Sequence, residues 1–166
     1  RPVSSAASDV YKRQDLTGME LSNASLLDES TAAAEAMNLL YVQRTKEKKS
    51  INSVSFFVDE NVLPQTKSVL ETRSAPLGIK LIYGNTNEFK ASNDFFGALI
   101  QYPGANGQIP QLEYIISNNL KFGVKTAVAA DILSLAMLKS PGELGADVVV
   151  GSLSLIHISE PTRLVS

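Results

Sequence analysis

Several residue types are missing or scarce in this chain of 166 residues, and each absence excludes a class of protein. There is no cysteine, so neither a disulfide framework nor a thiolate zinc site is expected, which fits a reducing compartment. The one histidine, His157, lies in a terminal segment that we leave out of the fold. A serine triad is therefore not expected, and the Asp and Glu residues show no spacing specific to a metal site. No apolar run approaches the roughly 20 residues of a membrane-spanning helix.

The sequence motifs of nucleotide binding and nucleic-acid binding are missing as well. There is no G-x-G-x-x-G or G-x-x-x-x-G-K-[ST] phosphate loop, and no G-x-S-x-G nucleophile motif. Lys and Arg together number 15 against 17 Asp and Glu, for a net charge of −2. The one basic run contains Lys46, Lys48 and Lys49 and is predicted to be a solvated helix end. This charge balance argues against nucleic acid as the main partner, and without a long apolar run no membrane partner is expected either.

Both ends of the chain differ in character from its interior. Two segments resemble translated cloning or sequencing-adapter sequence: residues 1–14 (RPVSSAASDVYKRQ) and residues 153–166 (LSLIHISEPTRLVS). We predict that both are artificial and leave them out of the fold. The remaining residues, 15–152, suit one domain or a piece of a larger one.

Helical and extended patterns alternate between residues 15 and 152. Helices are predicted at Glu29 to Arg44, Leu63 to Arg73, Ile109 to Lys121 and Ile132 to Leu138, and strands at Val54 to Val58, Ile79 to Tyr83, Phe96 to Tyr102, Val124 to Ala130 and Val148 to Gly151. Near-continuous apolar strands separated by amphipathic helices indicate a parallel sheet covered on both faces. The predicted fold is therefore an α/β domain, whose strands end at one rim near Asp59, Tyr102, Asp131 and Ser152.

The most informative stretch is the polar turn and alanine-rich helix from Asn23 to Met37. Asp28, Ser30 and Thr31 can accept hydrogen bonds from the N–H groups of a first helical turn. Glu29 adds negative charge at the positive end of the helix dipole. The pattern leaves two interpretations open: a capped core helix, or a helix start that faces a ligand or a partner.

Asp131 allows two interpretations for a similar reason. It directly follows the strand that is predicted to end at Ala130. A carboxylate in this position can hydrogen-bond a ligand nitrogen, or it can cap the short helix that follows. The residues alone do not choose between these roles.

Five segments in order resemble the family of decarboxylating glycine dehydrogenases, the P-proteins of the glycine cleavage system. They are Asp15 to Met19, Asn23 to Met37, Gln101 to Gly104, Ala130 to Leu133 and Leu138 to Ser152. The resemblance implies part of a three-layer, parallel-sheet domain of the pyridoxal-phosphate-dependent aspartate-aminotransferase fold type, from the middle of the family's N-terminal half. It also implies an oxidoreductase that decarboxylates glycine and passes the aminomethyl group to the lipoyl arm of the H-protein. The expected compartment is the cytoplasm, or the mitochondrial matrix in a eukaryote.

The resemblance further implies where the cofactor is bound. The family's Schiff-base lysine belongs to the C-terminal half, so we expect no catalytic residue in this chain, and Lys139 lies in a Lys-Ser-Pro-Gly stretch typical of a connection. Asp28 and Glu29 occupy the place where the C-terminal half binds the cofactor phosphate at a helix N-terminus. Because carboxylates repel phosphate, pyridoxal phosphate is expected mainly in the absent half. The isolated fragment is expected to bind no cofactor and to be inactive.

The candidate site is an interface between the two halves, beside the active site. Its predicted residues are Asn23, Ser25, Asp28, Glu29, Thr31 and Asp131. The implied partners are the C-terminal half or subunit, the lipoylated H-protein and glycine. The alternative is a free-standing flavodoxin-like or receiver-like binding module. A free module should be a stable monomer, whereas an excised piece of a larger sheet should expose apolar surface and aggregate.

Overall fold

The computed structural model describes residues 14–20, 26, 28–152 and 164–165. Residues 14–17 are helical; the helices after them are α1 Glu29–Val42, α2 Lys46–Ser50, α3 Pro64–Ser74, α4 Leu112–Leu120 and α5 Ile132–Leu135, and a 3₁₀ turn spans Ala75–Leu77. The strands are β1 Ser55–Asp59, β2 Lys80–Gly84, β3 Phe95–Tyr102, β4 Lys125–Asp131, β5 Val148–Ser152 and β6 Leu164–Val165. The predicted helices and strands are all present, with boundaries shifted by a few residues. Within the described ranges, no helix is long and apolar enough to cross a membrane.

The six strands form one sheet in the order β2-β1-β3-β4-β5-β6. The first five strands are parallel, as predicted, and β6 runs antiparallel to β5. The sheet therefore extends into the segment 153–166 that the sequence analysis left out of the fold. Free-standing flavodoxin-like domains also have the order β2-β1-β3-β4-β5, so topology alone does not separate the two interpretations.

Helices cover both faces of the sheet and give it three layers. On one face, Met37 and Leu40 of α1 and Leu70 of α3 pack in one apolar cluster with Leu99 of β3. On the other face, a second cluster joins α4 and α5 to the neighbouring strand residue, Ile100. Successive strand residues point to opposite faces, so a continuous apolar run supplies both clusters, as the sequence pattern predicted.

The prediction for the basic run was wrong at Lys48. A short helix, α2, forms there, and Lys48 is only 7% exposed. Its Nζ donates hydrogen bonds to the carbonyl oxygens of Asn93 at 3.0 Å and Phe95 at 2.8 Å. Lys46 and Lys49 are exposed. The run is therefore divided between solvent and an internal contact with the start of β3.

Candidate functional site

Helix α1 begins at the rim formed by the carboxyl ends of the strands, and Asp28 caps it. Oδ1 of Asp28 accepts a hydrogen bond from the backbone N–H of Thr31 at 2.6 Å. Hydrogen bonds from Thr31, first from its backbone and then from its side chain, lower the pKa of Asp28 because they favour the carboxylate. The predicted cap is thereby confirmed. Asn23 and Ser25, which were predicted to belong to the same surface, lie outside the described residues.

Ser30 has a different role from the cap that its position suggested. Its side chain is buried, and its hydroxyl lies 3.3 Å from that of Thr66 in α3. A hydroxyl can donate and accept, so the two can share one hydrogen bond. Ser30 therefore joins α1 to α3 beneath the rim.

Glu29 brings the start of α1 into contact with the ends of β3 and β4. Burial raises the pKa of Glu29, a hydrogen bond with the Gln101 side chain opposes that rise, and the negative charge of Asp131 adds to it. Gln101 and Asp131 lie at the carboxyl ends of their strands. We call Glu29, Gln101 and Asp131 the rim cluster.

Asp131 caps the helix that follows it. Its Oδ1 accepts from the backbone N–H of Leu133 at 3.1 Å, and its Oδ2 accepts from the hydroxyl of Ser134 at 3.0 Å. The structure thus establishes the capping role, one of the two that the sequence allowed. In the parallel register Asp131 lies opposite Ser152 of β5, so β4 and β5 end together at the rim.

The residues at the start of α1 do not fit a phosphate group. Helix N-termini attract anions, but Asp28 and Glu29 already place two carboxylates there, with Asp131 near Glu29. The salt bridge found within the described part of the chain joins Arg73 to Glu35, and no basic side chain there pairs with these three carboxylates. The cofactor phosphate implied by the family resemblance would therefore meet uncompensated negative charge.

Lys139 lies away from the rim cluster. Its backbone carbonyl accepts a hydrogen bond from the hydroxyl of Tyr102 at 3.2 Å. Tyr102 belongs to the apolar cluster on the α4 and α5 face, whereas α1 covers the opposite face. This placement agrees with the prediction that Lys139 belongs to a connection.

A second feature of the rim is a polar cleft of about 190 Å³ where β1, β2 and β3 end. The polar side chains that line it include Asp59, Asn61, Thr86 and Gln101. We call this feature the switch-point cleft. Asp59 is only 2% exposed. Its Oδ1 accepts from the backbone N–H of Asn61 at 2.9 Å, and its Oδ2 accepts from that of Gln101 at 3.2 Å.

The strand pattern predicted Asp59 at the rim, whereas Gln101 and Thr86 were not predicted as site residues. Gln101 carried a usable signal, since it is the one amide side chain within the apolar run from Phe96 to Tyr102. Polar residues that interrupt a buried strand need hydrogen-bond partners. Thr86 stands in a polar connection between β2 and β3 and had no comparable signal.

Comparison with known sequences gives a specific family match. The family model described as "Glycine cleavage system P-protein" matches residues 13–158. The glycine dehydrogenases (decarboxylating) of Flavobacterium johnsoniae, Christiangramia forsetii and Agrobacterium fabrum are 56%, 55% and 50% identical over 138 residues. Each alignment covers 83% of this chain and 14% of the relative. The chain thus spans a small part of the length of these relatives.

Comparison with solved structures agrees with the fold. A glycine decarboxylase (P-protein) of the glycine cleavage system, in inhibitor-bound form, superposes with a TM-score of 0.74 at 26% identity, covering 86% of this chain and 32% of that chain. A cystathione gamma lyase from Micromonospora echinospora gives a TM-score of 0.63 at 19% identity, covering 83% and 35% of the two chains. The second likeness concerns the fold alone. The architecture is that of pyridoxal-phosphate-dependent enzymes of the aspartate-aminotransferase type, and the free-standing module is not favoured.

Proposed function

The chain belongs to the glycine cleavage system P-protein family, and we propose that it is part of the N-terminal half of a glycine-decarboxylating enzyme. The enzyme is an oxidoreductase that uses pyridoxal phosphate and transfers the aminomethyl group to the lipoyl arm of the H-protein. The observation that carries this proposal is 56% identity over 138 residues to a glycine dehydrogenase (decarboxylating). Residues 15–152 form the native fragment in this proposal, and the cytoplasm or the mitochondrial matrix is its compartment.

The cofactor is bound mainly by the C-terminal half. Pyridoxal phosphate, when bound, supplies the electron sink for decarboxylation. The carboxylates of Asp28, Glu29 and Asp131 favour this division of roles because they disfavour phosphate at the start of α1. The chain alone is therefore inactive.

The residues of this chain shape the active site from across the interface between the halves. Glu29 carries a half-buried carboxylate near a second negative charge, Asp131, and a cationic or N–H-donating group from the other half would compensate both. Thr31 and the cap Asp28 hold the helix start in place. Asn23 and Ser25 are proposed to continue the same surface.

A chimeric enzyme tests the family function. The 138 residues of the Flavobacterium johnsoniae relative that match this chain are replaced by those of this chain. We expect the chimera to release CO₂ from glycine in the presence of pyridoxal phosphate and H-protein, and the 166-residue chain alone to release none. A folded chimera that binds the cofactor but has no activity would contradict the proposal.

A double variant of the chimera, D28A/E29A, tests the role of the rim. We expect slower glycine turnover or weaker assembly of the two halves, measured by CO₂ release and by analytical ultracentrifugation. The matched control is E88A/E113A, which removes two exposed carboxylates at other positions. If D28A/E29A matches the control in both turnover and assembly, the interface role is refuted while the family function stands.

A further inference from the structure

Two buried polar atoms in the switch-point cleft lack a hydrogen-bond partner among the residues that the structure describes. They are Oγ1 of Thr86 and Oε1 of Gln101, and the two residues are only 6% and 5% exposed. Buried polar groups are nearly always paired, because an unmade hydrogen bond is costly. Both residues line the same cleft, so one ligand bound there can form a hydrogen bond with each of them.

The position of the cleft in the fold favours a ligand. The chain passes from β1 to β2 at one edge of the sheet and then returns past β1 to β3, so the strand order reverses at β1. Helix α3, which follows β1, and helix α4, which follows β3, belong to the apolar clusters on opposite faces. In open α/β sheets, ligands bind outside the carboxyl ends of the strands at this kind of switch point.

The charged and polar groups of the cleft indicate which kind of ligand it can bind. The carboxylate of Asp59 is buried and accepts hydrogen bonds from two backbone N–H groups. None of the described residues that line the cleft is Lys, Arg or His. A buried carboxylate without a cation is unfavourable. The cleft therefore offers hydrogen-bond acceptors and a carboxyl group, with no basic side chain among the described lining residues.

The loop that follows β3 forms one wall of the cleft. Backbone N–H groups of Gly104 and Ala105 donate to the carbonyl oxygens of Gln108 and Asn61 at 2.8 and 2.9 Å. A Cβ added at Gly104 would lie 2.8 Å from Oδ1 of Asn106 and 3.2 Å from Cβ of Asn61. The loop is thus tightly packed at the wall of the cleft. The volume of the cleft, about 190 Å³, is smaller than the roughly 300–1,000 Å³ of pockets that bind drug-sized ligands. The ligand should therefore be small.

We propose that the switch-point cleft binds a small molecule that carries a primary ammonium group. An ammonium has three N–H donors and no acceptor. Asp59, Oε1 of Gln101 and Oγ1 of Thr86 supply three acceptors and the opposite charge. The cleft excludes amino acids, including glycine, because their carboxylate would enter an acidic cleft that offers it no cation. This site differs from the rim cluster, although Gln101 belongs to both.

The test is a calorimetric titration with ethylammonium chloride, performed on the 166-residue chain and on the chimeric enzyme described above. We expect saturable binding at one site. T86V keeps the shape of Thr86 but removes Oγ1, so binding should weaken about tenfold or more. T86S keeps the hydroxyl and should bind within about threefold of the native protein. T72V, at an exposed threonine of α3, is the matched control and should change nothing.

Circular dichroism and a melting curve establish that each variant is folded before it is titrated. Equal binding of ethanol, of glycine or of potassium chloride would overturn the proposal, because each would assign a different chemistry to the cleft. Unchanged affinity in folded T86V would overturn it as well. No saturable signal from either folded protein would mean that the cleft holds water only, which also refutes the proposal.

Discussion

Replacing Lys48 by methionine should destabilise the domain, although Lys48 stands in a basic run that is typical of a solvated helix end. Its Nζ donates to the carbonyl oxygens of Asn93 at 3.0 Å and Phe95 at 2.8 Å. These contacts join α2 to the start of β3. Methionine has a similar length and an apolar character, so it keeps most of the packing of the lysine stem while both hydrogen bonds are lost.

The expected loss follows from the contacts. A hydrogen bond from a charged donor contributes about 1.5–3 kcal/mol, but the burial of the ammonium offsets part of the gain. The carbonyl of Asn93 keeps one partner after the substitution, because it also accepts from the Ser53 hydroxyl at 3.0 Å. We therefore expect K48M to lower the free energy of unfolding by about 2 kcal/mol at pH 7.

The same contact predicts a pH dependence. Burial lowers the pKa of Lys48 from its ordinary value of 10.5, while the nearby Asp94 carboxylate opposes the shift. The unfolded chain then holds more protons than the folded chain in the range just below pH 10.5. Stability linked to Lys48 should therefore rise with pH in that range. K48M lacks the titrating group and should not show this rise.

Urea unfolding followed by circular dichroism measures both effects, at micromolar concentration and with a check that the midpoint does not depend on protein concentration. K49M is the matched control, because Lys49 is the exposed neighbour in the same helix. The reasoning is refuted if K48M and K49M agree within about 0.5 kcal/mol, the usual limit for surface substitutions. It is also refuted if the free energy of unfolding changes with pH in the same way for the native protein and for K48M between about pH 8 and pH 10.

Three further predictions use the same unfolding assay. D28A should lower the free energy of unfolding by about 1 kcal/mol because α1 loses its N-cap, and D28N should keep most of the native stability. Equal stability of the native protein and D28A would contradict the role of Asp28 as a cap. Because burial raises the pKa of Glu29 above its ordinary 4.5, its stabilising contribution is present below that pH and is lost as pH rises through the folded pKa. E29Q should therefore flatten the stability curve above pH 4.5 and be at least as stable as the native protein at pH 7; a curve parallel to the native one would contradict this. G97A should cost about 1–3 kcal/mol, since its Cβ would lie 2.9 Å from Cε2 of buried Phe56; a neutral result would contradict that packing.

Local signals explain why most of the fold was predictable from the sequence. Strands β1, β3 and β4 are buried on both faces, so each appears as a short continuous apolar run. The edge strand β2 is more exposed, with Ile82 and Tyr83 partly at the surface. The cap of α1 was also visible, because the partner of Asp28 is only three residues away, at Thr31. Helix α4 starts three residues later than predicted, at Leu112. Pro110, two residues earlier, accounts for the delay, since the residue before a proline avoids the helical region.

The features that were missed depend on contacts distant in sequence. Lys48 reaches carbonyl groups 45 and 47 residues away, so neither composition nor periodicity could reveal its burial. The hydrogen bond of Glu29 with Gln101 and the influence of the Asp131 charge on Glu29 depend on the register of β3 and β4. A sequence pattern can place each of these residues at a strand or helix end, but it does not specify which ends meet.

Gln101 explains how one rim can serve two separate purposes. Its side chain hydrogen-bonds Glu29 at the start of α1, and its backbone N–H donates to Asp59 in the switch-point cleft. The backbone hydrogen bond to Asp59 does not depend on how the Gln101 side chain is oriented. Within that side chain, Oε1 and the amide nitrogen lie in one rigid plane, so they can only be oriented together. An occupant that orders Oε1 in the cleft must therefore also fix the amide that contacts Glu29. The proposed ammonium site and the proposed interface between the halves are thus linked through one side chain, without a shared charged residue.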